Sequence, residues 1–369
     1  MANQPIIATQ EKIAVSRESV NRTSKFWRPE LDVLRFCAFF LVFITHAAGG
    51  IRVGALGVPV FFLLSAYLIT ELLLREWSET HDVNIRKFYV RRVLRIMPLY
   101  FFILGFGYLL GHIVKKDPIS LRMLLPYLLP FGNWSVVMHG YLPLGLGVLW
   151  SIGVEEQFYL TWPTIVRIGR RKAALIAACV LFVIGQVLVI WLSSRHYQTN
   201  PIIWANTLVQ TQYFAIGAAI SVLLNCRIPR FPVFLRVLFL AAGLGSFWCA
   251  DLVFNTTGHI PSSIGVTYPG YLITGLGATL LFMAVIGLAV PQWMKPFVYL
   301  GKISYGLYLF HPLVLETLRV GLGGRVNMLT RAAIALPLTI LIASLSYRYF
   351  ETPFLRLKHR FETVSTRPV

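Results

Sequence analysis

Ionisable side chains inside otherwise apolar segments are the first feature with chemical content. In LRFCAFFLVFITHAAGG (34–50), Arg35 and His46 are eleven residues apart. That is close to three helical turns, so both share one face, about 16 Å apart along the axis. LWSIGVEEQFYLTWP (149–163) carries adjacent carboxylates, Glu155 and Glu156. An imidazole and a carboxylate at matching depth on two helices suit general-base chemistry. The ring takes a hydroxyl proton, while the carboxylate orients the ring and stabilises the imidazolium. FYVRRVLRIMP (88–98) adds Arg91, Arg92 and Arg95. Arg92 and Arg95, three apart, share a helix face, and guanidinium forks match phosphate oxygens. A phosphorylated cytosolic ligand is therefore the functional reading. Each feature also has a plainer one: Arg35 snorkelling to the interface, His46 bonding a neighbouring helix, the arginines anchoring on lipid headgroups. One glutamate could complement a helix N-terminus capped by Ser151.

Further hydroxyls and rings lie in similar settings. Ser65 sits mid-segment in VFFLLSAYLI (60–69), where a serine usually bonds its own helix. GKISYGLYLFHPLVLE (301–316) aligns Ser304, Tyr305, Tyr308 and His311. Tyr308 and His311 share a face, a pattern that serves interhelical packing as well as a site. In YRYFETPFLR (347–356), Glu351 is expected to pair with a nearby arginine and Pro353 to end the last helix.

These residues need elements that hold them, and composition names the class. The 369 residues are 56% hydrophobic and 13% charged, with a mean hydropathy of +0.67. Soluble domains carry about 25% charged residues, and a chain of this length cannot enclose so much apolar surface. The expected fold is all-α and polytopic, in the cell membrane. Segments of about 20 apolar residues fall near 31–50, 55–74, 93–113, 147–166, 173–193, 203–224, 233–254, 269–290, 297–318 and 329–349. SLRMLLPYLLPFG (119–131) is short and proline-broken, hence interfacial or re-entrant. The net charge of +19 does not indicate nucleic acid, because the basic residues form short blocks between apolar runs, the pattern that sets membrane topology. With the N-terminus inside, about 24 Lys and Arg face the cytoplasm and about 8 face out, so both termini are expected to be cytoplasmic. Residues 1–27 read as a disordered cytoplasmic tail without a cleavable signal peptide, and 358–369 as a cytoplasmic tail. Cys37, Cys179, Cys226 and Cys249 show no metal or redox spacing and read as free core thiols; no metal site is expected.

Six segments in order, RPELDVLRFCAFFLVFITHA, FFLLSAYLI, FYVRRVLRIMPLYFF, WSIGVEEQFYLTWP, KISYGLYLFHP and YRYFETP, resemble the membrane-bound acyltransferase 3 family over about 28–357. The family's Arg-to-His spacing is met by Arg35 and His46, and its paired basic motif by Arg92 and Arg95. Ala66 stands where the family usually has glycine. Some members carry an added esterase-like domain, which this chain is expected to lack. The resemblance implies transfer of an acyl group, typically acetyl, from acyl-CoA as co-substrate to a hydroxyl. Acceptors would be envelope or exported polysaccharides or glycolipids, with small secondary metabolites as the alternative. In that reading Arg91, Arg92 and Arg95, with Arg35, hold the CoA phosphates. His46 is the base, and Glu155 or Glu156 orients it or the acceptor. Ser65, Tyr159 or Tyr305 would serve the oxyanion, while Ser304, Tyr308 and His311 support the acceptor side. Direct transfer and a covalent acyl-histidine relay both remain open. The rival from another class is a transporter or flippase of an anionic lipid or sugar, which would release no CoA. The aromatics of loop 114–147, Tyr127, Trp134 and Tyr141, are the expected place for the acceptor.

Overall fold

A computed structural model describes residues 27–49, 52–114, 119–322 and 326–364. The expected N-terminal tail, Trp27 excepted, and the last residues of the C-terminal tail lie outside the described residues. Among those described, the regular elements are helices and no strand forms; one isolated antiparallel bridge joins Gln198 to Pro261. In chain order they are α1 (Pro29–Ala48), α2 (Gly57–Thr80), α3 (Ile85–Val114), α4 (Leu121–Leu128), α5 (Gly132–His139), α6 (Leu149–Ser194), α7 (Thr207–Leu224), α8 (Val233–Leu252), α9 (Ile264–Val285), α10 (Lys295–Lys302), α11 (Ser304–Leu322), α12 (Met328–Leu345) and α13 (Thr352–His359).

Eight of the described helical stretches are long and apolar enough to cross a membrane, so the protein is a multi-pass, all-α membrane protein. The expected fourth and fifth spans form one helical tract, α6, broken at Arg170 (φ 54°, ψ −140°). That break falls in the basic block 167–172, where a cytoplasmic turn is expected, and the Arg170 guanidinium lies over the Trp77 ring at 3.9 Å. The expected ninth span is divided into α10 and α11, with Ile303 between them outside helical geometry (φ −94°, ψ 10°). The stretch 119–131 becomes α4 and the connection to α5, which packs on α6. Pro353 does not end the last helix. It stands in the first turn of α13, where its missing N–H costs nothing. All four cysteines are free; Cys37 and Cys179 are exposed, surface rather than core thiols, and the other two are half-buried.

The bundle is organised around α2. Its apolar window is 83% buried, against 17% for α8 at the periphery. The α2–α7 seam has almost no space: a Cβ on Gly217 would strike the Leu63 backbone. Around it Phe62 stacks on Phe214 (centroids 4.7 Å), Phe214 on Phe158 (4.6 Å) and Phe158 on Trp162 (4.9 Å). Trp162 Nε1 donates to Thr70 Oγ1 at 2.8 Å, which satisfies the one polar atom of a fully buried ring. Helix α1 begins with Pro29, Glu30 and Asp32, and ends at Gly49 with φ 53°, residues that suit the positive N-terminus and the left-handed C-cap. It lies against α2, α10 and α11, and that placement aims both Arg35 and His46 inward.

Candidate functional site

The end that the charge bias places outside is built by α1 and α11. His46 Nδ1 lies 2.9 Å from His311 Nε2, with ring centroids 5.0 Å apart. His311 is completely buried and its Nδ1 is 2.7 Å from the Tyr308 carbonyl oxygen. His46 is exposed to a cavity of about 510 Å³ walled by Tyr141, Trp150, Asn200, Trp204, Thr257 and His259 among others. That volume is in the range of sites for small ligands. Burial pushes the Tyr141 hydroxyl above the usual phenol range. It therefore remains a donor, to Asn200 Oδ1 at 2.5 Å. Of the loop aromatics, Tyr141 alone lines this cavity. Tyr127 is buried away from it, and Trp134 donates to Gln157 Oε1 at 3.3 Å.

A middle chamber of about 80 Å³ adjoins it, lined by Arg35, Ser65, Arg92, Arg95, Glu155 and Tyr159 together with Ser151, Ser304, Tyr305 and Tyr308. Glu155 Oε1 accepts from the hydroxyls of both Ser65 and Tyr159. The Tyr305 hydroxyl donates to the Ile96 carbonyl at 2.8 Å. The hydroxyls expected to serve an oxyanion thus already direct their protons to acceptors of the protein. Ser151 does not cap α6, which begins two residues earlier. Its Oγ donates to the Val148 carbonyl at 3.0 Å, and it meets the Tyr308 hydroxyl at 2.8 Å. The hydrogen-bond partner of His46 is therefore His311, while Glu155 is tied to Ser65 and Tyr159. Glu156, about 100° round the helix from Glu155, does not line this chamber, and its Oε1 is buried without a partner among the described residues.

Toward the cationic end, which the charge bias assigns to the cytoplasm, a vestibule of about 140 Å³ is lined by Arg28, Arg35, Arg91, Arg92, Arg95, Lys302 and Lys358, with Asp32, Glu351 and Glu362. Its cations differ in commitment. Arg28 donates to Glu71 at 3.0 Å and Arg91 to Glu76 at 3.1 Å, while Arg35 stands 3.7 Å from Asp32. Arg92 lies over the Tyr159 ring at 5.0 Å. Among the described residues neither Arg92 nor Arg95 has a carboxylate at ion-pair distance. Glu351 takes a bond from Ser346 Oγ at 3.3 Å rather than from an arginine. The π-helical turn Ser346–Glu351 brings these two residues, five apart, face to face.

The three spaces are in series. Arg35, Ser65, Arg92, Arg95, Tyr159 and Tyr305 line both vestibule and chamber, and Val58 and Tyr308 line both chamber and outer cavity. The result is a polar corridor through an apolar bundle, cationic at one mouth and carrying a histidine pair at the other. Missing from the sequence reading are Asn200, Trp204, Thr257 and His259, which reach the cavity from irregular segments and carry no periodic signal. Also missing is the contact between His46 and His311; the pairing of His311 with Pro312 was a usable signal. Among the described residues no group of His, Cys, Asp or Glu could hold a metal ion.

Comparison with known proteins bears on this arrangement. Peptidoglycan O-acetyltransferase OatA of Listeria monocytogenes is 27% identical, over 90% of this chain and 57% of its own. O-acetyltransferase OatA of Staphylococcus aureus is 28% identical, over 88% of this chain and 57% of its own. A putative peptidoglycan O-acetyltransferase, YrhL, of Bacillus subtilis is 28% identical over 88% and 54%. The chain thus spans little more than half the length of these relatives. No solved structure matches. Residues 28–348, which hold most of the corridor's lining, match the family model described as an acyltransferase domain, and the chain belongs to that acyltransferase family.

Proposed function

We propose that this protein is a membrane O-acetyltransferase that carries an acetyl group from cytosolic acetyl-CoA to a hydroxyl of a cell-envelope glycan at the outer face. The observation that carries the reading is the corridor, with two arginines at one mouth that pair with no carboxylate among the described residues, and an accessible imidazole at the other. The names of the relatives support a cell-wall polysaccharide as acceptor.

In this mechanism Arg92 and Arg95 hold the CoA phosphates, assisted by Arg35, while Arg91 frames the vestibule. The narrow pantetheine arm passes Ser65, Glu155 and Tyr159 and the constriction at Val58 and Tyr308. A sugar ring rests in the outer cavity, against Trp204 and Tyr141, with one hydroxyl toward His46. His46 removes the hydroxyl proton as the oxygen attacks the thioester carbon. The C–S bond breaks, the acetyl group stays on the sugar oxygen, and the CoA thiolate recovers the proton from His46.

The test uses the full chain in lipid nanodiscs with labelled acetyl-CoA and soluble glycan oligomers from cell wall. CoA thiol release should depend on the glycan and match label transferred to it. His46→Ala should lower transfer by about 10²–10⁴-fold with unchanged membrane levels. Parental transfer by that variant, or label never reaching glycan, would sink the proposal.

A further inference from the structure

The base assigned above needs a defined tautomer, and among the described residues the hydrogen-bond partner of a His46 ring nitrogen is His311. Which nitrogen carries a proton follows from the chain of partners. A backbone carbonyl only accepts, so His311 Nδ1, 2.7 Å from the Tyr308 oxygen, is the protonated nitrogen of a neutral His311. Its Nε2 is then a lone pair. It accepts from His46 Nδ1–H at 2.9 Å, which leaves the His46 Nε2 lone pair as the basic site of the ring.

The Tyr308 carbonyl is available for a local reason. In an α-helix the carbonyl of residue 308 would accept from the N–H of residue 312, but residue 312 is proline and has none. The freed oxygen is taken by the side chain of His311, one residue earlier. The dipeptide His311–Pro312 therefore fixes the tautomer of His311, and through it that of His46. His311 itself is at 0% exposure, with the ring of Phe39 edge-on to it at 5.7 Å between centroids, so its ring nitrogens are closed to solvent.

We propose that His311 is a positioning residue for the acyl transfer. It holds His46 as the Nδ1–H tautomer with Nε2 toward the acceptor, in the place where hydrolytic triads put a carboxylate. This rests on the reading of His46 as the base. It has a mechanistic consequence. The hydrogen-bond chain ends on a backbone carbonyl, so a proton taken by His46 Nε2 cannot leave through His311. It departs from the same nitrogen, and the thiolate sulfur of CoA must come within reach of it.

The experiment compares His311→Leu with His311→Gln, in nanodiscs, at equal amounts of monodisperse protein, with acetyl-CoA and glycan oligomers. Leucine has no acceptor for His46 Nδ1–H, whereas the glutamine amide oxygen can take its place. His311→Leu should lower kcat on the order of 10²-fold with KM for acetyl-CoA unchanged. His311→Gln should return kcat to within about tenfold of the parent, because its amide oxygen supplies a neutral acceptor. Should His311→Leu not yield folded protein, His311→Met, also without a strong acceptor, takes its place. Parental kcat in the leucine variant, or equal loss in the leucine and glutamine variants, would overturn the positioning role. Parental activity in His46→Ala would instead remove the base reading, which separates the two failures.

Discussion

The three arginines of α3 should answer to mutation in two different ways. Arg91 donates from Nη2 to Glu76 Oε2 at 3.1 Å and from Nη1 to the Phe361 carbonyl at 2.8 Å. Glu76 is 1% exposed, and its other oxygen accepts from the Asn84 backbone N–H at 3.0 Å. Arg91→Ala would strand that carboxylate and release the C-terminal segment from α3. Removing one partner of a buried ion pair costs about 3–5 kcal/mol. Among the described residues Arg92 and Arg95 have no such partner, so their removal should cost the fold little and the ligand much. A hydrogen bond to a charged group is worth about 1.5–3 kcal/mol, which at about 1.4 kcal/mol per decade is roughly a 10- to 150-fold rise in KM for acetyl-CoA. The assay pairs the thermal midpoint in detergent with steady-state KM. Arg91→Ala should lose folded protein while the surviving fraction keeps its KM. Arg92→Ala and Arg95→Ala should keep the midpoint and raise KM. Glu76→Leu combined with Arg91→Met should recover stability, since a hydrophobic replacement of both partners leaves no uncompensated charge. An Arg91→Ala protein as stable as the parent but with a raised KM would refute the division, and would make Arg91 a phosphate ligand.

Two other perturbations probe the corridor and its scaffold. Val58→Phe, at the wall shared by chamber and outer cavity, should abolish glycan acetylation while acetyl-CoA binding, measured by calorimetry, persists. Loss of both together would place the obstruction elsewhere. Gly217→Leu inserts a side chain where even a Cβ meets the Leu63 backbone, so it should cost at least the roughly 1–3 kcal/mol of an overpacked core, read as a lowered thermal midpoint with loss of monodisperse protein.

Much of the scaffold was legible because the bilayer imposes a length and a polarity that periodic apolar runs must meet. The basic blocks marked the breaks between them, down to the interruption at Arg170 inside one helical tract. What local pattern cannot report is partnership across sequence distance. Glu155 lies 90 residues from Ser65 and His46 lies 265 residues from His311; matching depth alone suggested a carboxylate beside the imidazole. Arg91, Arg92 and Arg95 look alike as a motif, and only the turn between α2 and α3, which brings Glu76 back along the helix, separates the first from the others. The outer cavity walls come from segments around 141–150, 200–204 and 257–259, where no helical period links one wall to the next.

The His311–Pro312 pair shows that some of this distance can be recovered by accounting for backbone groups. Every buried carbonyl in a spanning helix needs a donor, because the hydrocarbon supplies no water. A proline inside a span leaves the carbonyl four residues back without its usual partner. When a side chain with an N–H lies within a turn of that carbonyl, the helix itself selects which nitrogen keeps the proton, before any second helix is considered. In α11 that leaves the His311 Nε2 lone pair as an acceptor aimed out of the helix, and the facing residue must donate. An imidazole at that place can do so only with one nitrogen, which leaves the other free for chemistry. Which nitrogen of the α1 imidazole keeps a free lone pair is thus set by a proline on α11.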